Sequence, residues 1–301
     1  SLLLGTGDLV RESPFYLAAL ILVLGGAFTK SAQFPLHFWL PNAMEAPTPV
    51  SAYLHSATMV KAGVYLLMRL NPVLGDTIAW ETILPLFGGA TLLVGTFLAV
   101  RQTDLKLMLA YTTVASLGLL VMLTGFGTEK AIEGAVLYLV AHSLFKGALF
   151  MVAGNVDHEA GTRDVTRLGG LLAAMPITFG AAILSAFSMA GLPPLVGFVA
   201  KESALTAVIE SAHGPLSTAT GWLTVAGIVA GSVLTVAYSA RFVWGAFMTK
   251  GETGAAARPT PFDAPRPLLI APVLLAAATV AAGFLGDPLT ELFHPYTASL
   301  P

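Results

Sequence analysis

Lysine is the residue type in this sequence that most clearly indicates chemistry, because most of its copies lie in apolar surroundings. Of the seven lysines, five fall within or at the edge of long hydrophobic segments: Lys30, Lys61, Lys106, Lys146 and Lys201. A basic side chain at mid-bilayer costs about 2.5–3.5 kcal/mol on insertion scales. Arginine stays protonated whereas a desolvated lysine can lose its proton, and the eight arginines lie almost entirely outside the segments. This preference predicts proton transfer.

Three histidines lie in the same apolar segments. His142 precedes Lys146 by four residues, which places both side chains on one face of a helix. His55 precedes Lys61 by six residues, so these two do not share a face, and His37 lies between two prolines. Histidine titrates near neutrality and can pass a proton between its two ring nitrogens. The alternatives are a core histidine beside a snorkelling lysine at position 142, and a hydrogen bond to freed backbone at position 37.

Carboxylates near these groups are few, and each leaves an alternative open. Lys106 follows Asp104 at a predicted helix start, where a surface ion pair is nearly as plausible as a functional role. Lys201 precedes Glu202, which would neutralise it. Lys30 has no carboxylate partner in this sequence, so we expect that partner upstream of Ser1 or on another subunit.

We therefore predict a proton-transfer row with two accessory groups. The row is Lys30, His55, Lys61, Lys106, His142, Lys146 and Lys201, and the accessory groups are His37 and Glu202. The histidines lack helical metal-ligand spacing, and the sequence contains no nucleophile–base pair or cofactor motif. We expect no catalytic, metal or cofactor site, and a protein that is not an enzyme.

Composition determines the kind of element that must position these groups. The chain has 301 residues, of which 55% are hydrophobic and 11% charged, and its mean hydropathy is +0.78. Average soluble domains contain roughly 25% charged residues, so a soluble enzyme, a disordered tail and a nucleic-acid-binding module are excluded. The absence of cysteine excludes disulfides, thiolate metal sites and cysteine nucleophiles.

Hydrophobic segments long enough to cross a bilayer recur along the chain and predict an all-α, polytopic membrane bundle. The eight predicted segments are 15–40, 50–70, 81–100, 105–125, 131–153, 170–209, 219–248 and 267–286. In the first, Lys30 is followed by Pro35 and Pro41, and the sixth contains Gly191-Leu192-Pro193-Pro194. Proline interrupts a helix, so we expect both segments to be discontinuous. Two short spans in place of the sixth segment, making nine crossings, are the alternative.

Loop charges predict the orientation. The loops after the odd-numbered segments are the more basic, with Arg101, Arg163, Arg167, Lys250, Arg258 and Arg266. Positive charge accumulates on the cytoplasmic face. These loops are therefore predicted to be cytoplasmic, including a linker over 249–266, and both chain ends are predicted to lie outside.

The motifs around these groups resemble one family. They are Pro35-Leu36-His37-Phe38-Trp39-Leu40-Pro41-Asn42-Ala43-Met44-Glu45, Asp104-Leu105-Lys106-Leu107-Met108, His142-Ser143-Leu144-Phe145-Lys146, Asp157-His158-Glu159-Ala160-Gly161-Thr162-Arg163-Asp164, and Gly191-Leu192-Pro193-Pro194 followed by Lys201-Glu202. Together they resemble the antiporter-like subunits shared by respiratory complex I and Mrp-type sodium/proton antiporters. They look most like the large A subunit of the Mrp antiporter.

The resemblance implies a core of fourteen helices in two inverted repeats, with helices seven and twelve interrupted. This chain would begin just before helix seven, so that the family's helix-five glutamate, partner of the helix-seven lysine, would lie upstream. Lys30 matches the helix-seven lysine, Lys201 the helix-twelve lysine, and Lys61 a helix-eight lysine of some members. In the family, this row carries protons through the membrane.

The function implied is that of one component of a multisubunit cation/proton antiporter in the bacterial plasma membrane. Its partners would be other membrane subunits, the lipid bilayer, protons, and Na⁺ or another monovalent cation, with no nucleic acid. Two alternatives remain: a proton-pumping subunit of complex I or of a membrane-bound hydrogenase, and a structural scaffold that conducts nothing.

Overall fold

The first predicted segment is interrupted, as expected. The computed structural model describes residues 5–212, 218–248 and 262–297. α1 (Gly7–Arg11) precedes the segment, which consists of α2 (Tyr16–Lys30), an irregular stretch over 31–38 and the start of α3 (Trp39–Asn42), and a 3₁₀ turn (Ala43–Glu45) follows it. At 1.5 Å per residue, α2 is about 22 Å long, which is shorter than the ~30 Å hydrocarbon core. The Trp39 indole N–H donates to the Thr29 carbonyl at 2.9 Å and satisfies one of the acceptors left free where α2 ends.

The second segment is also irregular, which the sequence analysis did not predict. It consists of α4 (Thr48–Ala52), a π-helical turn (Tyr53–Ala57), a 3₁₀ turn (Met59–Lys61) and α5 (Ala62–Leu74). The change of winding centres on Thr58, whose backbone has φ −124° and ψ −92°. Isolated π-helical turns occur often at functional sites. Here the turn contains His55, and the 3₁₀ turn ends at Lys61.

Three long helices follow where they were predicted: α6 (Ile78–Arg101), α7 (Leu105–Phe126) and α8 (Glu129–Ala160). Thr77, Asp104 and Thr128 cap their N-termini with side-chain oxygens. α6 and α7 pack backbone to backbone, because a Cβ on Gly88 would lie 2.5 Å from the Met122 nitrogen. α7 is the most enclosed of the three helices.

The sixth segment is one interrupted helix. α9 (Leu171–Ala174) precedes α10 (Pro176–Ala190). The helix is interrupted at residues 191–195 and resumes as α11 (Val196–Ala212). Gly191 adopts φ +84° at the break, a conformation that glycine tolerates best. Both halves pack against α8, and they meet each other at the break, where the Gly197 N–H donates to Ser188 Oγ at 3.2 Å. This arrangement favours eight crossings over nine.

The last two predicted segments form α12 (Thr218–Phe247) and α13 (Arg266–Gly283). A further helix that was not predicted, α14 (Gly286–Thr297), packs against α8 and α13. Most of the predicted linker, residues 249–261, lies outside the described residues. Its final part returns to α10, where the Asp263 carboxylate accepts hydrogen bonds of 2.9 and 3.0 Å from the backbone N–H groups of Ile177 and Thr178.

Five of the helices in the described ranges are long and apolar enough to span a membrane, namely α6, α7, α8, α12 and α13, and α2 and α10 are shorter apolar helices. The chain is a multi-pass membrane protein. Three predicted same-side loops meet at one end of the bundle: the Leu105 N–H donates to the Arg163 carbonyl at 3.0 Å, and the Gly170 N–H to the Met248 carbonyl at 2.9 Å. That these loops are cytoplasmic stays a prediction.

Candidate functional site

Two of the predicted groups lie together at the centre of the bundle. His142 and Lys146 are both 0% exposed and occupy successive turns of α8. The Lys146 ammonium donates to the Leu109 carbonyl of α7 at 3.1 Å and contacts Thr112 Oγ1. The Thr112 hydroxyl itself donates to the same Leu109 carbonyl. The amine is thus held by a carbonyl and a hydroxyl from one turn of α7.

Lys61 approaches α8 from another side and is held in the same way. Its ammonium donates to the Leu139 carbonyl at 2.8 Å and contacts Ser143 Oγ. The Ser143 hydroxyl donates to that same carbonyl at 2.9 Å. The irregular winding of the second segment therefore brings Lys61 against the turn of α8 that carries His142. In the sequence, the two positions are far apart.

The His142 ring is close enough to both lysines to interact with them electrostatically. Its ring centroid is 5.5 Å from that of Phe145 and 6.4 Å from that of Tyr138. Neither ring nitrogen makes a hydrogen bond of ordinary geometry with the described residues, although the main chain of Ser56 approaches the ring. A positive charge on Lys61 or on Lys146 would interact electrostatically with the imidazole of His142. Three titratable groups, Lys61, His142 and Lys146, therefore form one cluster, which we call the central cluster.

His55 and Lys106 continue the row toward the end of the bundle where α7 begins. The His55 ring is buried, with centroids 6.1 Å from Phe150 and 6.4 Å from Trp39, and the charge of Lys106 reaches it. The Lys106 ammonium is buried and donates to the Ala46 carbonyl at 2.6 Å.

The surface ion pair between Lys106 and Asp104 is not formed. Asp104 accepts hydrogen bonds from the first backbone N–H groups of α7, and its second oxygen pairs with Arg163 Nε at 2.8 Å. The helix N-terminus and the arginine occupy the carboxylate, so Lys106 extends inward instead. The sequence could not predict this, because Arg163 is distant in the chain.

Lys201 lies beside a separate cavity. Its ammonium donates to the Ala190 carbonyl at 3.0 Å, and its stem packs over Gly191, where a Cβ would lie 2.7 Å from Lys201 Cδ. The break in the sixth segment thus both exposes the carbonyl that holds Lys201 and leaves room for the side chain. The cavity measures about 490 Å³, is partly open, and is lined by residues of α6, α7, α8, α11 and α12 and by the end of α10. Glu202 lies on its exposed rim rather than in an ion pair with Lys201.

Lys30 and His37 lie apart from the central cluster. The Lys30 side chain is exposed at the end of α2 and makes no hydrogen bond or ion pair with the described residues. His37 is 5% exposed, its ring lies 4.7 Å from that of Phe38 and 5.8 Å from that of Phe34, and its Nδ1 has no hydrogen-bond partner in the described part of the chain. The structure therefore buries five members of the row, leaves Lys201 half-buried at the cavity and places Lys30 on the surface.

The hydroxyl groups that hold the lysines were not predicted from the sequence. Thr112 and Ser143 contact the two buried amines, and Ser116 Oγ and Tyr138 OH lie 3.1 Å apart one turn further along. The only available signal was spacing: Ser143 lies between His142 and Lys146, and Tyr138 precedes His142 by one turn. Hydroxyl residues inside apolar helices are common, so their type alone did not single them out.

The fold and this row of titratable groups define a multi-pass membrane protein that carries ionisable side chains in its interior. The sequence profile described as "NADH:quinone oxidoreductase/Mrp antiporter, TM" matches residues 2–228. The chain belongs to this family, as its motifs predicted.

Curated relatives are similar over most of this chain. The probable A/B subunit of a K⁺/H⁺ antiporter from Rhizobium meliloti is 53% identical over 247 residues, covering 81% of this chain and 24% of the relative. The A subunit of the Na⁺/H⁺ antiporter from Alkalihalophilus pseudofirmus is 46% identical over 310 residues, covering 94% and 37%. The chain therefore spans roughly a quarter to two fifths of the length of these relatives.

One solved structure supports the fold independently. A chain of the Mrp complex from Dietzia sp. DQ12-45-1b superposes with a TM-score of 0.82 at 40% sequence identity, covering 97% of this chain and 30% of that one. The resemblance inferred from the motifs is therefore confirmed over nearly the whole chain.

Proposed function

We propose that this chain is part of one component of a multisubunit monovalent cation/proton antiporter in the bacterial plasma membrane, and that it conducts protons along the buried row. The central cluster supports this proposal most directly. Lys61, His142 and Lys146 are buried together, and within the described residues no carboxylate contacts them. Three cations in one such site would repel one another strongly, so the cluster is suited to hold fewer protons than it has sites.

The carbonyl and hydroxyl at each buried lysine suit an amine that changes protonation state. A charged ammonium donates to both oxygens. When the amine is neutral, the hydroxyl of Thr112 or Ser143 can rotate and donate to the nitrogen lone pair instead. A carboxylate could only accept, and it would favour the charged form. These sites therefore accommodate a lysine whether or not it carries a proton.

Unpaired buried nitrogens indicate where water would complete the path. The Nδ1 atoms of His37 and His55 and both nitrogens of His142 lack hydrogen-bond partners among the described residues. Buried polar groups are generally paired with protein or ordered water. In this proposal, waters at these atoms connect Lys106, His55, the central cluster and Lys201.

Two observations bear on the alternatives. The relatives are named as components of antiporters, which favours exchange, whereas the family description also includes NADH:quinone oxidoreductase. Co-purified flavin and iron–sulfur subunits would indicate the redox pump. A scaffold that conducts nothing has no need of buried lysines that cost energy to insert.

The test uses the complete complex in everted membrane vesicles. Lys146→Ala, Lys201→Ala and Lys30→Ala should each abolish cation-dependent dissipation of a pH gradient while the complex still assembles. Lys201→Arg should also be inactive, because arginine does not release its proton. Lys130→Ala is the matched control, since Lys130 forms an exposed ion pair with Glu210 at 2.5 Å and its loss should leave transport unchanged. Normal transport in the three alanine variants of the row would refute the proposal.

A further inference from the structure

The structure leaves a gap between the central cluster and Lys201, and the cavity of about 490 Å³ lies in that gap. Most of its lining is apolar, from residues such as Leu92, Leu119 and Ile228. Its polar lining is restricted to a few side chains: Ser116, Tyr138, Lys201, Glu202, Ser232, Thr235 and Tyr238. Lys201 and Tyr138, which precedes His142 by one turn of α8, both belong to this lining.

Hydroxyl groups form the wall of the cavity nearest the central cluster. Tyr138 precedes His142 by one turn of α8, and their ring centroids are 6.4 Å apart. The Tyr138 hydroxyl lies 3.1 Å from Ser116 Oγ, and Ser116 in turn donates to the Thr112 carbonyl at 2.9 Å. Thr112 is the residue whose side chain contacts the Lys146 amine. The Ser116–Tyr138 pair is therefore adjacent to both titratable groups of α8.

A second hydroxyl pair lines the same cavity from α12. On α12, the Tyr238 hydroxyl donates to Thr235 Oγ1 at 3.1 Å, and Thr235 Oγ1 donates to the Gly231 carbonyl at 2.8 Å. Both side chains are buried, and the side chains of Tyr138 and Tyr238 are close enough to interact electrostatically. Thus two buried tyrosine–hydroxyl pairs line the same cavity as the Lys201 amine.

We propose that Ser116–Tyr138 and Thr235–Tyr238 form a hydroxyl relay that carries the proton between the central cluster and Lys201, with water in the cavity completing it. A hydroxyl can accept a proton on its oxygen while it releases its own proton to the next acceptor. Each tyrosine therefore returns to its neutral form after every transfer, and no net charge is left in the apolar cavity. Water needs two to four polar partners, and in this cavity the tyrosine hydroxyls and Lys201 provide them.

The relay rests on the proposed function, and its test removes hydroxyls without removing rings. Tyr138→Phe and Tyr238→Phe should each slow cation-dependent proton movement in the complete complex by about tenfold, the change expected when one hydrogen-bonded step is lost. The solvent deuterium isotope effect on transport should rise as well, because the proton step then limits the rate. Tyr65→Phe is the matched control, because Tyr65 is 65% exposed on α5 and lies outside the cavity lining.

The outcomes separate the relay from the function. If both phenylalanine variants transport at the unaltered rate while Lys201→Ala is inactive, the relay is refuted and the proposed function stands. If Lys201→Ala alone transports normally, the relay to Lys201 is refuted, and if the alanine variants of Lys146, Lys201 and Lys30 all transport normally, both the relay and the proposed function are refuted. Should a phenylalanine variant fail to assemble, Ser116→Ala tests the same link: slowed transport supports the relay, and an unaltered rate refutes it.

Discussion

The first and the sixth crossings both break next to prolines, and both carry a lysine near the break. Lys201 lies inside the bundle, held by the Ala190 carbonyl that the break sets free. Lys30 is the last residue of α2 and is exposed on the surface of this chain. At the end of α2 in the first break, the Thr29 carbonyl accepts a hydrogen bond from the Trp39 indole N–H.

This difference shows that a helix break creates an acceptor but does not determine which donor will use it. In the sixth crossing, the two half-helices approach closely enough for α11 to place a lysine over the end of α10. In the first crossing, the chain after the break continues as only a short helix, and an aromatic donor on it completes the end of α2. Lys30 therefore remains available to groups outside the described residues.

The largest effect on this comparison should come from Gly197→Ala. A Cβ at Gly197 would collide with the Ser188 carbonyl oxygen, so the two half-helices would have to separate. Such overpacking lowers the free energy of unfolding by up to about 3 kcal/mol. It would also displace Lys201 from the Ala190 carbonyl. We expect a markedly lower midpoint of thermal unfolding for the purified complex, together with loss of transport.

Gly180→Ala provides the control for this variant. Gly180 lies in the same half-helix, α10, and a Cβ there would have no atom within 4 Å. The substitution should leave the complex unchanged or raise its stability by up to about 1 kcal/mol, because alanine favours helix. Equal midpoints for both variants would show that the close approach at Gly197 does not hold the sixth break together.

An intermediate effect is expected for Trp39→Phe in the first break. Phenylalanine keeps the aromatic packing but removes the indole N–H that donates to the Thr29 carbonyl. Losing one hydrogen bond of this kind costs about 1 kcal/mol. The unfolding midpoint should fall slightly and Lys201-dependent transport should persist. A loss of transport as complete as in Lys201→Ala would show that the indole does more than complete the helix end.

The smallest effect should follow from Ala32→Gly in the first break, with Gly191→Ala in the sixth break as its contrast. Ala32 adopts φ +47° in the first break, and Gly191 adopts φ +84° in the sixth. Ala32→Gly relieves a strain of about 1–2 kcal/mol but removes a buried methyl group and adds chain entropy, so its stability should stay within about 1 kcal/mol of the original. Gly191→Ala should be clearly destabilising, since its Cβ would also press on the Lys201 stem. Similar unfolding midpoints for the two variants would contradict this account.

Most of the architecture was predictable because the bilayer imposes simple rules. Apolar runs of sufficient length predicted α6, α7, α12 and α13 to within a few residues and the start of α8, which continues seven residues beyond its predicted end, and prolines predicted both interruptions. The irregular winding around Thr58 was not predicted, because no proline or glycine marks it. α14 was missed because it follows the last long apolar segment and is too short and polar to register as a span.

The candidate site divides in a similar way. Residue type and apolar surroundings were enough to select the lysines and histidines of the row, since an ionisable group in such a segment is costly wherever the helix packs. Contacts between helices were needed to show that Lys61 reaches α8, that Arg163 occupies Asp104, and that Thr112 and Ser143 hold the buried amines.

What the sequence determined by itself was the class of protein and the set of titratable residues in apolar segments that we propose carry protons, because hydropathy and side-chain chemistry are properties of the chain alone. Which of these residues share a cluster, which hydroxyls hold them, and where a cavity separates them was decided only by the tertiary structure. Those features depend on which helix faces meet. In a segment that is apolar on every side, the sequence pattern does not show which face of the helix packs against which neighbour.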